Sequence, residues 1–66
     1  MTNKQRAAYA ETAIKAFLEV CKTDREDAIT DLVTDLMHLA RRDGADPYTI
    51  VRTAQMHFEA EENAEE

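Results

Sequence analysis

The chain reads as all-α, a compact three-helix bundle with helices at about 4–22, 24–43 and 47–62 and an acidic, frayed C-terminus. Three observations predict this. Apolar residues recur at steps of three and four along most of the chain. Helix-capping residues punctuate the pattern at three points. With one Gly and one Pro among 66 residues, the chain lacks the repeated tight turns of a small sheet protein. The length suits a single helical domain over 1–66 and leaves no room for a dinucleotide fold or a barrel.

The first helix opens at Thr2, an N-cap whose partner in a capping box is Gln5, three residues on. Ala7, Ala10, Ile14, Phe17 and Cys21, with Leu18 beside them, form one apolar stripe. A second row, Tyr9, Ala13, Ala16 and Val20, lies about 100° around the helix at 3.6 residues per turn. The outer helix of a lone bundle needs one buried stripe, so the second row is the expected seam of a homodimer.

The second helix starts at Thr23-Asp24-Arg25-Glu26, which reads as a capping box with Thr23 as N-cap and Glu26 at N3. Its expected core stripe is Ala28, Ile29, Leu32, Val33, Leu36, Leu39 and Ala40, with Met37 at the edge. Arg41 and Arg42 suit the negative end of the helix dipole, and Gly44 is the natural residue to end it. Asp46-Pro47 then supplies an N-cap and an N1 proline for the third helix. Ile50, Val51, Ala54 and Phe58 form its expected buried stripe. The glutamates from Glu59 to Glu66 oppose the dipole, so the helix is expected to fray after Glu62.

Charge restricts the function. The formal net charge is −6, and it is uneven. Residues 1–22 set Lys4, Arg6, Lys15 and Lys22 against two acids, whereas residues 45–66 set six acids against Arg52 alone. A nucleic-acid binder needs the opposite sign on its docking face. The second and third helices could be drawn as a helix-turn-helix, but the would-be recognition helix carries one cation and ends in glutamates. Direct nucleic-acid binding is therefore not expected. No run approaches the ~18 apolar residues of a membrane helix. Met1 to Arg6 is basic and polar with no apolar signal core behind it, and one Cys fits a reducing compartment. The expectation is a cytoplasmic protein with no membrane role.

Few residues suggest chemistry. His38 shares a helix face with Asp31 and Asp35, and His57 with Glu61 is an i, i+4 pair. Carboxylate and imidazole together can hold a divalent metal, so Asp35, His38, His57 and Glu61 are the candidate ligands for an oligomeric metal-binding or hydrolytic protein. Against this, His38 points away from the expected core and His57 sits at the edge of its stripe, so convergence is awkward. A chain this short does not wall a pocket of ~300 Å³ alone. Cys21, on the apolar stripe, reads as a small buried hydrophobe and not as a nucleophile. No catalytic residue and no cofactor are assigned. Asp27, Asp31 and Asp35 are each one helical step apart, about 6 Å, and form an acidic row suited to a basic partner surface.

The segment Asp31-Leu32-Val33-Thr34-Asp35-Leu36-Met37-His38, then Gly44, then Ala54-Gln55-Met56-His57-Phe58-Glu59-Ala60-Glu61, covers about half of the chain. In this pattern the chain resembles short acidic helical proteins carried by bacterial plasmids and phages. The resemblance brings no activity with it. It implies a context, that of a mobile-element accessory protein. Small acidic proteins of that class often act by binding a host or rival protein. Anti-restriction and anti-CRISPR inhibitors are examples, some of them DNA mimics. The expectation is a non-enzymatic protein-binding module that forms a homodimer.

Overall fold

The structure, a computed structural model, describes residues 1–64. Those residues form three helices and no strand: α1 (Asn3–Val20), α2 (Arg25–Arg42) and α3 (Pro47–Asn63). The final pair, Glu65 and Glu66, lies outside the described residues, and with it the end of the glutamate run.

Local chemistry sets the helix ends. At the start of α1, the Thr2 hydroxyl accepts from the Gln5 N–H at 3.1 Å, and the Gln5 side chain accepts from the Thr2 N–H at 2.9 Å. Both halves of the capping box are thus made, and two of the four orphan donors are satisfied. The helix stops at Val20, two residues short of the expected Lys22, because Cys21 is extended at φ −99°, ψ 106°. The Thr23 N–H then bonds to the Cys21 carbonyl at 2.6 Å and closes a three-residue turn over Lys22.

The start of α2 corrects the expected capping box. The helix begins at Arg25, which places Thr23 one position too early to be the N-cap. The Thr23 hydroxyl instead donates to Asp31 Oδ2 at 2.8 Å, reaching a side chain two turns into the helix. The first turn is closed by the Asp27 N–H on the Asp24 carbonyl at 3.0 Å. Glu26 and Asp27 at one end and Arg41 and Arg42 at the other both complement the helix dipole.

The far end of α2 is a Schellman motif. The Ala45 N–H reaches the Ala40 carbonyl at 2.9 Å, and the Gly44 N–H reaches that of Arg41 at 3.1 Å. The motif requires the left-handed conformation that Gly44 adopts at φ 87°. Asp46 then caps α3. Its carboxylate accepts from the Tyr48 N–H and the Thr49 hydroxyl, each at 3.0 Å, with Pro47 in the first turn. These hydrogen bonds, that of Thr49 foremost, hold the Asp46 carboxyl below its ordinary value of 3.8. The helix runs to Asn63, one residue past the expected end.

The chain divides into two units. The first, Met1–Thr34, holds α1 and the start of α2; the second, from Asp35 on, holds the rest of α2 and α3. The first unit contains the fully buried aliphatic residues, Ile14 at 5% exposure and Ala28 at 0%. Arg25 also donates two hydrogen bonds to Glu11 there, one of them 2.7 Å long, and so ties α2 to α1. In the second unit the one fully buried residue among those described is Pro47.

The expected core is thereby corrected. Ala7 and Ala10 of α1 are exposed, as are Ile29, Val33, Leu36 and Leu39 of α2 and Ile50, Val51, Ala54 and Phe58 of α3. Ile29 is 64% exposed and Phe58 60%, so these are not grazing exposures. The apolar arc of α2 runs from Ala28 to Val33, about 140° at 100° per residue. Among the described residues that arc is buried at Ala28, half-buried at Leu32 and Ala40, and exposed at the rest.

Candidate protein-binding surface

The acidic row lies on α2, where helical geometry stacks Asp27, Asp31 and Asp35 one above another. Asp27 and Asp35 are exposed, and neither has a cation paired with it among the described residues. Asp31 differs from the expectation. It is half-buried and accepts the Thr23 hydroxyl, so it helps to hold the segment that leads into α2. The row therefore has two free carboxylates flanking one with a structural task. Sequence spacing could place all three on one face, but not reveal that Thr23 would turn its hydroxyl toward the middle one.

Nearby cations are spent elsewhere. Arg25 is engaged by Glu11 and Arg42 by Asp43, the latter at 3.1 Å with both side chains largely exposed. The Arg25 guanidinium, through its hydrogen bonds above all, holds the Glu11 carboxyl below its ordinary value of 4.5. That pair was not among the residues singled out from sequence. The sign of each residue was legible, but the two are 14 positions apart and on different helices.

The candidate metal ligands do not assemble. His38 and His57 are both exposed, as is Asp35, whereas Glu61 is half-buried. Among the described residues, no three His, Cys, Asp or Glu side chains come together as a metal site would require. Cys21 is a free thiol, half-buried at the end of α1.

The row assigned to self-association is open. Tyr9 is 62% and Val20 82% exposed, and Ala13 and Ala16 are exposed with them. A further apolar row, not separated from the core by sequence reasoning, is Ile29, Val33 and Leu36 on α2. At 100° per residue its mean direction lies roughly opposite that of Asp27, Asp31 and Asp35. Thus α2 offers carboxylates on one side and uncovered branched aliphatic side chains on the other. No helix among the described residues is long and apolar enough to cross a membrane. Comparison with protein-family models, with curated proteins and with solved structures gives no match to this chain.

Proposed function

We propose that this chain is a non-enzymatic binding module, a mobile-element accessory protein that acts by holding a host or rival protein through a basic patch on that partner. The observation that supports the reading is the pair of exposed, unneutralised carboxylates of Asp27 and Asp35 on one side of α2. A row of negative charge at helical spacing attracts a cationic surface, accelerates encounter with it and disfavours acidic competitors. An inhibitor of a nucleic-acid-handling protein could use such a row in place of a strand of phosphates. The compact bundle and the cytoplasmic location belong to the same proposal.

The test is capture of partners from a host lysate by the wild-type chain and by the double variant Asp27→Lys, Asp35→Lys. Asp31 is left intact because it anchors Thr23. Both altered side chains are exposed, so helix content is expected to persist. Partners held by the row should be lost from the variant and should also leave the wild type as salt rises. A variant that retains every wild-type partner at equal salt contradicts the assignment.

A further inference from the structure

The second unit poses a physical problem. Helices of 17–18 residues draw most of their stability from packing an apolar face. Yet from Asp35 on, the large hydrophobic residues remain open: Leu36 is 51% exposed, Ile50 48% and Phe58 60%. A chain of 66 residues without a disulfide has little stability to spare for this. Large apolar side chains left this open on helices that need a packed face point to an interaction site.

We infer that the occupant is a second copy of this chain, which pairs α2 against α2 in antiparallel fashion along Ile29, Val33 and Leu36. The face is the first ground: Ile29, Val33 and Leu36, on the one continuous helix α2, are 64%, 44% and 51% exposed. Charge complementarity favours a second copy: on one flank of the row, the first turn of α2 carries Glu26 and its last turn carries Arg41, whereas Asp27 and Arg42 lie on the outward side. Antiparallel pairing sets acids against bases at both ends and opposes the two helix dipoles, whereas parallel pairing sets like ends together.

The register follows from the row. Its centre falls near Val33, so a two-fold axis there brings Glu26 of one copy within about a turn of Arg41 of the other. Both lie on the same flank of the row, and in antiparallel pairs like flanks face each other. The acidic rows, on the other side of α2, then point outward from each copy. The α1 row is the weaker candidate, since two of its four members are alanines with little surface to bury.

The experiment is sedimentation of the full chain and three variants, with helix content followed by circular dichroism. The wild type should be a dimer. Leu36→Glu should weaken it by about a hundredfold or more, because each seam would then bury unpaired charge. Val20→Glu, on the α1 row, should leave it within about threefold, since it lies outside the seam. Glu26→Arg should weaken it by about tenfold over two symmetric pairs, and adding Arg41→Glu should restore it. A wild type that stays monomeric, or forms a trimer or larger, overturns the inference. So does dissociation by Val20→Glu as readily as by Leu36→Glu, or a Glu26→Arg defect that Arg41→Glu does not repair. If Leu36→Glu loses its helix, the wild-type melting temperature decides. A rise over about a hundredfold in concentration supports the dimer, and a constant value overturns it.

Discussion

Gly44 shows how one residue controls a helix end. A Cβ added there would meet nothing within 4 Å, yet the backbone stands at φ 87°. Substitution is therefore resisted by conformation and not by crowding. Gly44→Ala should cost about 1–2 kcal/mol, and Gly44→Asn less, because asparagine tolerates the left-handed region. Chemical denaturation of the two variants checks this, and equal losses would point to packing instead. Glu11 links the stability of the first unit to pH. Its folded-state carboxyl titrates below 4.5, held there by Arg25. Between the folded value and 4.5, the unfolded chain binds more protons, so stability rises with pH in that window. The contribution of the pair is present above about pH 4.5 and is lost as pH falls through the folded value. The stability gap between wild type and Glu11→Gln, measured by denaturation at a series of pH values, should thus close on acidification. A gap that is constant with pH would mean that Glu11 acts through something other than its charge.

At the scale of elements, the helix ends were largely legible in the sequence. Thr2, Gly44, Asp46 and Pro47 each act through bonds within a few residues of themselves, and each performs the role its chemistry suggested. Thr23 did not, because α2 begins at Arg25 and leaves it one position outside the cap, where its hydroxyl donates to Asp31. Burial was less legible. The periodicity of Ile29, Val33 and Leu36 correctly shows that they share an apolar face. It cannot say whether the cover comes from the same chain or another, since both demand the same pattern. Core variants separate the two kinds of apolar position. Ile14→Ala should cost about 2–5 kcal/mol, a large part of the roughly 3–10 kcal/mol expected for a domain of this size. Leu36→Ala should cost under about 0.5 kcal/mol if its face remains open, and about 2 kcal/mol or more if a second copy closes over it. Denaturation of both variants at high protein concentration distinguishes these outcomes, and the second is expected.

Across the whole molecule, the two sides of α2 differ in chemistry: exposed carboxylates of Asp27 and Asp35 on one, exposed aliphatic side chains of Ile29, Val33 and Leu36 on the other. We propose a basic partner for the first and another copy for the second. Ligand-type residues at helical spacing are neighbours on a face, but among the described residues no three of them come together, and His38 and His57 are exposed. In the acidic row, the charge of Asp27, Asp31 and Asp35 could be read from sequence, but the hydrogen bond of Asp31 could not. On the proposed pairing, this chain completes its packing by association. The most direct measurement of that association is thermal unfolding of the wild type over about a hundredfold range of concentration, because coupling of folding to dimerisation makes the midpoint depend on protomer concentration. The account predicts a melting temperature that climbs steadily with concentration. A midpoint that stays constant, with a helical monomer at every concentration, would contradict it.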